Sequence, residues 1–341
     1  MKKVFWVFLV CIICVTACSG RRVTRKRQFL LKGNLALNAR DFPKAINYYS
    51  EALVLDPDYV EASNNRGIAY YELGKFISST EDYSRALAVD PDYAEAYFNR
   101  SNAFYQLKEY YRSLDDLERY EKLEGESFKL FFAKGTVYTQ IKSFQKALEA
   151  FDRAKELDNR NVEVHINIGT LHYYQGDFSK AETYLNQAME IDVNEPNAYN
   201  VLSQISLKKG DTLQAWEYSE KAVELQPSNA YFLNNKGYLL YLLGDLPEAE
   251  KFIDRSILYD EKNSWAYRNK GILYLAQGNA EAAIRNLKQA LRLDSSVEYL
   301  NYYMAEALRT KGELTEACTH YKVAAQSNEP EGQQAMLKYC N

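Results

Sequence analysis

The chain is short of the side chains that most often carry chemistry. It has three histidines, His165, His172 and His320, in 341 residues. No glycine-rich phosphate loop follows a strand, because no segment shows the two-residue alternation of a strand. Neighbouring carboxylates such as Asp115 and Asp116 read as parts of solvated helix faces. These gaps speak against an enzyme and call for no cofactor and no metal. Seven prolines and fifteen glycines are too few for a low-complexity chain, and no Ser/Gly-rich linker divides it. An excess of positive charge is lacking as well. The formal net charge is −4, without the basic stripe that a nucleic-acid-binding protein needs.

Long apolar runs are nearly absent too. The one example, Val4 to Ala17, follows Lys2 and Lys3. As a helix it would span roughly 21 Å, against about 30 Å for a bilayer core. A basic start, a short apolar run and small residues before a boundary describe a secretory signal rather than an anchor helix. The boundary ends on a cysteine. Val15, Thr16, Ala17 and Cys18 form a segment that resembles the lipobox of bacterial lipoproteins, with valine where leucine is common. The resemblance implies a signal peptide over residues 1–17 and acylation of Cys18, which gives stable lipid anchoring at ~0.8 kcal/mol per buried methylene. Because Ser19 rather than aspartate follows, it also implies a bacterial cell-envelope protein on the outer membrane, facing the periplasm. A plain signal peptide and an intact membrane helix are the alternative readings. Without residues 1–17 the balance is 40 basic against 46 acidic residues, a net charge of −6. The one basic cluster is Arg21 to Arg27, and residues 18–25 read as a basic linker after Cys18. A second reading of the cluster is contact with anionic headgroups, worth ~1 kcal/mol per charge near a surface.

What the chain has in abundance is tyrosine, 29 residues of it, and a repeat. Steps of 34 from Ala45 meet only small residues: Ser79, Ser113, Ala147, Ala181, Ala215, Ala249, Ala283 and Ala317. Seven residues further on lies a second small column, Ala52, Ala86, Ala154, Ala188, Ala222, Ser256, Ala290 and Ala324, broken by Tyr120. Between them runs a large apolar column, Tyr49, Tyr83, Leu117, Phe151, Leu185, Ile253, Leu287 and Tyr321, broken by Ser219. Twelve residues before the first column stand Gly33, Gly67, Gly135, Gly169, Gly237 and Gly271, with Ser101, Ser203 and Ala305 as substitutes. Spacings of three, four and seven mark one face of an amphipathic helix. Two such stripes, separated by a glycine-bearing turn, make each unit a helical hairpin that must stack on its neighbours to bury its apolar face. Asp56-Pro57 and Asp90-Pro91 end second helices.

A 34-residue helix-turn-helix unit with these columns resembles the tetratricopeptide repeat (TPR). Tyr70, Tyr138 and Tyr274 match the family's aromatic at position 11, and Pro57, Pro91 and Pro227 its proline at position 32. The resemblance implies an all-α fold, a right-handed superhelical α-solenoid of nine hairpins over residues 26–331. A C-terminal capping helix is expected over residues 332–341. Tyr120 suggests a widened contact between the third and fourth hairpins, and Ser203 with Ser219 makes the sixth repeat the least typical.

His165 and His172 fall on packing positions 4 and 11, roughly 10 Å apart along a helix, too far to chelate one zinc. The family's concave groove is lined by positions 2, 5, 6, 9 and 12 of each first helix. Position 6 is asparagine in five repeats, Asn65, Asn99, Asn167, Asn235 and Asn269, and an amide suits the backbone of an extended peptide. Around them lie Phe98, Tyr105, Phe132, Tyr173, Tyr231, Tyr238, Tyr241, Trp265 and Tyr302, with Arg268 as the clearest cation. Aromatics and arginine are the types that concentrate binding energy.

The expected function is therefore a non-enzymatic protein–protein interaction scaffold. It would be lipid-anchored and hold an extended peptide or partner protein in its groove, within an outer-membrane assembly, pilus, secretion or wall-remodelling machine. The alternative is a structural envelope component acting through its convex face or by self-association. Finally, Cys318 and Cys340 each lie eleven residues from Glu329, where two antiparallel helices would turn. That places them at one height, fit for a disulfide in an oxidising compartment. Two buried thiols are the other reading.

Overall fold

The computed structural model describes residues 23–340. Cys18 and the signal segment lie outside the described residues. The chain divides into two compact units, residues 1–160 and 161–341. The first holds α1 (23–38), α2 (Phe42–Leu55), α3 (Val60–Glu72), α4 (Phe76–Val89), α5 (Ala94–Gln106), α6 (Tyr110–Glu124), α7 (Phe128–Gln140) and α8 (Phe144–Leu157). The second holds α9 (Val162–Tyr174), α10 (Phe178–Ile191), α11 (Pro196–Lys209), α12 (Thr212–Leu225), α13 (Ala230–Leu242), α14 (Leu246–Tyr259), α15 (Ser264–Ala276), α16 (Ala280–Leu293), α17 (Leu300–Lys311), α18 (Leu314–Gln326) and α19 (Pro330–Tyr339). Among the described residues there is no strand, and no helix is long and apolar enough to cross a membrane. Within each unit the helices pair as hairpins stacked in chain order, the α-solenoid arrangement expected from the repeat.

The local reasons recur every 34 residues. At the start of the second helix, the side chains of Asp41, Asp177, Asp211, Asp245 and Asn279 accept a backbone N–H three residues on, the N-cap that satisfies a first-turn donor. One residue earlier the backbone turns left-handed. Glycine supplies that conformation in six repeats, at φ from 70° to 93°. Arg40, Lys108 and Lys142 adopt it without glycine, at 57° to 60°. At the end of the second helix, Asp90, Asp158, Asp192, Asp260 and Asp294 each accept the N–H two residues on. The aspartate, with or without a following proline, turns the chain into the next hairpin.

The columns meet inside each hairpin. A Cβ on Gly67 would lie 2.6 Å from Cε1 of Tyr83, and one on Gly135 would lie 2.7 Å from the Phe151 ring. The absent side chain is thus the space in which the large column sits, and Tyr83 and Phe151 are only 1% exposed. In the sixth repeat Ser203 donates to the Ala215 carbonyl at 2.7 Å, and Ser219 is buried beside this pair of helices. Tyr120, in an alanine column, is buried against the Phe98 ring at 5.3 Å.

Two boundaries differ from the sequence reading. Residues 18–25 do not form a linker throughout, because 23–25 already belong to α1. The Arg25 guanidinium lies 5.6 Å from the Phe29 ring and Lys26 pairs with Asp56, so the basic run continues as a helix face. The last helix begins at Pro330, two residues before the expected start at 332, with proline in its first turn and Glu329 as its N-cap. Gly332 lies against Ala324, where a Cβ would approach to 2.6 Å. Cys318 and Cys340 form a disulfide, with Cα atoms 5.5 Å apart, that ties α19 to α18.

Candidate partner-binding surface

Stacking brings position 6 of one first helix beside position 5 of the preceding one, or beside position 9 in the first pair, and this decides what the asparagines do. In unit 1, Asn65 Nδ2 donates to Asn34 Oδ1 and Asn99 Nδ2 to Asn64 Oδ1, each at 3.1 Å. Asn34 also accepts the Tyr49 hydroxyl at 2.8 Å, which joins the row to the core. In unit 2 the bonds form a directed chain. Arg268 donates to Asn269 Oδ1 through Nε (3.1 Å) and Nη2 (2.8 Å). Asn269 Nδ2 donates to Asn234 (2.8 Å), Asn234 to Asn235 (3.3 Å) and Asn235 to Asn200 (2.9 Å). All donors point the same way, so each bond polarises the next. Asn269 is 3% exposed and its amide is spent within the chain, whereas Asn65, Asn99 and Asn235 are half-buried. Asn167 is half-buried and enters neither row.

Arg268 is not a free cation. It is 8% exposed, and its Nη1 donates to the Glu298 carbonyl at 3.0 Å. Its guanidinium lies 4.6 Å from the Trp265 ring and 5.7 Å from Tyr238. Burial pushes its pKa down, opposed by Tyr238 and Tyr303 first and then by Glu298 and Glu329. The arginine therefore organises the surface that Trp265 presents.

Around it the structure gathers most of the aromatics expected in repeats seven to nine. Tyr238 and Tyr241 stack at 5.9 Å, and Tyr302 meets Tyr303 edge-on at 5.2 Å. Tyr303 stands where earlier repeats carry asparagine. Burial raises its hydroxyl pKa, and Tyr238 and Tyr241 add to the effect. Tyr173 has its hydroxyl pushed up to about 12 by burial, with the charges of Tyr174 and Glu298 contributing. Tyr231 projects to solvent, 58% exposed. Unit 1 has a smaller patch: Phe98 with Tyr120, both rings 4.9 Å from Lys129 Nζ, and Tyr105 with Tyr110 at 5.8 Å. Phe132 is occupied by packing, 5.6 Å from both Phe128 and the core ring of Phe151.

His172 stacks on Tyr184 at 5.7 Å and His165 lies 6.3 Å from the same ring, so both pack about one tyrosine. Among the described residues no group of three or more His, Cys, Asp and Glu side chains is placed to hold a metal.

Sequence reasoning missed the cations of position 7. Arg66 clasps Asp82 through two bonds of 2.6 Å and donates to Ser50 of the preceding repeat, and Arg100 repeats this with Asp116 and Ser84. Lys236 and Lys270 reach back to Glu220 and Asp254, each at 2.5 Å. The signal was present as a column of Arg66, Arg100, Lys134, Lys236 and Lys270, though it reads at first as solvated charge. The carboxylates Asp82 and Asp116 hold their arginines within one repeat, while the bonds to Ser50, Ser84, Glu220 and Asp254 cross to the preceding repeat and hold the two in register.

Stacked helical hairpins with an aromatic and amide stripe on their first helices define an α-solenoid of the protein-binding class. Tetratricopeptide-repeat sequence profiles match residues 33–97, 78–125, 129–192, 196–229, 228–296 and 268–331. The chain belongs to the tetratricopeptide repeat family, and its coarse function is that of a protein–protein interaction scaffold. Among solved structures it is similar to a tetratricopeptide repeat protein from Parabacteroides merdae, with a TM-score of 0.63 at 15% identity over 73% of this chain and 98% of that one. It is also similar to the Cut9–Hcn1 hetero-tetramer of APC/C, with a TM-score of 0.61 at 15% identity over 82% of this chain and 55% of that one. At this identity the likeness concerns the fold alone.

Proposed function

We propose that the protein is a scaffold of the bacterial cell envelope, anchored by acyl chains on Cys18 to the outer membrane and facing the periplasm. In this reading it holds an extended peptide segment of a partner protein against the first helices of repeats seven to nine. The observation that carries the reading is the buried Arg268 set against the rings of Trp265 and Tyr238, with Tyr241 stacked on Tyr238 and the Tyr302–Tyr303 pair on the next first helix. Rings held by a buried cation are rigid, and rigid aromatics bind at low entropic cost. The partner would belong to an assembly, pilus, secretion or wall-remodelling machine. The test is capture from the detergent-solubilised envelope, followed by affinity measurement on the partner identified. Trp265→Ala should weaken binding by at least ~2 kcal/mol, the loss typical of an anchor residue, and leave helicity unchanged. Equal affinity for wild type and variant would move the interface off this surface. Mass spectrometry of the mature N-terminus reads the anchor, and an unmodified Cys18 would exclude it.

A further inference from the structure

The first described helix is unlike every later first helix in one respect. At repeat position 10 the later repeats bury their side chain. Ala69, Ala103 and Val137 are 0 to 2% exposed, with Ala69 packed on Ala45 and Tyr49 of the preceding hairpin. The equivalent residue of α1 is Leu35, and it is 70% exposed. Leu31, at position 6, is 61% exposed. Lys32 occupies the position 7 column, where Arg66 and Arg100 reach back to the preceding hairpin. It instead stands exposed beside Phe29 and Tyr48, about 6 Å from each ring. Among the described residues nothing lies over this face.

Its charge points to what does. Residues 23–40 contain Arg25, Lys26, Arg27, Lys32 and Arg40 and no acidic residue, in a chain whose net charge is negative. At 100° per residue, Leu31 and Leu35 point along the middle of the exposed face, with Arg27 at one edge and Arg25 and Lys32 at the other. Lys26 is engaged with Asp56, but Arg25, Arg27 and Lys32 are exposed. An apolar centre flanked by cations on both sides is the pattern of a helix lying in the headgroup layer, its leucines turned inward and its cations reaching the phosphates. A second copy of this chain fits poorly. Face to face, two such helices would set like charges against each other. Head to tail, the exposed end of α18 is already covered by α19 and tied through Cys318 and Cys340.

We propose that the exposed face of α1 is seated on an anionic phospholipid surface, which orients the repeats on the membrane instead of leaving them to swing on an acyl tether. The inference rests on the envelope-anchored reading, since Cys18 stands five residues before the first described residue of α1.

The test uses the full chain with its native N-terminus and a Gln28→Cys substitution in the middle of this face. The protein is placed in vesicles of phosphatidylcholine, alone or mixed with phosphatidylglycerol. The rate of labelling by a membrane-impermeant maleimide is then read. Labelling should slow on the anionic vesicles only, and high salt should restore it. Arg27→Gln and Lys32→Gln should each recover about fivefold of the rate, following the attraction of one cation to such a surface. Leu31→Gln with Leu35→Gln should recover it as well, with unchanged helicity. Equal labelling on both vesicles overturns the proposal. So does slow labelling in lipid-free solution at a sedimentation mass of two chains, because a second copy would then cover the face. So does protection by a captured protein without lipid. The mass of the N-terminus reads the acyl anchor separately, so an acylated chain that labels equally fast on both vesicles removes this inference and leaves the anchor standing.

Discussion

Asn269 Nδ2 donates to Asn234 Oδ1 at 2.8 Å, joining residues 35 positions apart on successive first helices. The same Asn269 accepts two bonds from Arg268. An amide that looks like a ligand donor in the sequence is therefore the middle link between a buried cation and the neighbouring repeat. Asn269→Ala should leave Nε and Nη2 of Arg268 and Oδ1 of Asn234 without their Asn269 bonds and cost ~1–3 kcal/mol by chemical denaturation, the cost of unsatisfied buried polar groups. Asn167→Ala, outside both rows, should cost less than half as much. Equal losses for the two variants would remove the distinction between a structural and a free asparagine.

The close approach of Gly67 to Tyr83 yields a second expectation. A methyl group 2.6 Å from Cε1 must displace the ring or the helix. Gly67→Ala should lower stability by ~1–3 kcal/mol, although alanine is the better helix former by ~1 kcal/mol. A thermal melt that rises on this substitution would show that the hairpin yields more easily than its contacts imply.

Lys142 has a backbone φ of 57°, where six other repeats place glycine. The left-handed conformation costs a side-chain-bearing residue roughly 1–2 kcal/mol. Lys142→Gly should recover part of that, offset by the greater freedom of glycine in the unfolded chain. The midpoint of denaturation should move upward, and a downward shift would mean that the lysine side chain supports the turn.

Cys318 and Cys340 enclose a loop with a sequence separation of 22. On the chain-entropy account such a cross-link stabilises by roughly 3 kcal/mol. Reduction, or Cys318→Ser with Cys340→Ser, should raise amide exchange first in α19 and then in α18, while α9 to α14 keep their protection. Two titrating thiols in the oxidised protein would exclude the bond.

The sequence by itself determined the hairpin, its 34-residue period and the faces that meet inside it. Those contacts are local: Gly67 and Tyr83 are sixteen residues apart within one repeat, and helical periodicity with the short turn at Gly74 sets them opposite each other. The family resemblance also marked positions 2, 5, 6, 9 and 12 of the first helices as those expected to meet a partner. Only the tertiary structure decided what those side chains are free to do. Whether Asn269 faces a ligand or Asn234, and whether Arg268 is exposed or buried beneath Trp265, depends on how one repeat is laid against the next. Leu35 shows the same dependence in reverse. Its column is buried in every later repeat, and Leu35 is exposed because burial there requires a preceding hairpin, which α1 lacks among the described residues. Amphipathic period reports which side of a helix is turned inward, but donor and acceptor pairing between stacked units is fixed by their separation and register, which no single repeat encodes.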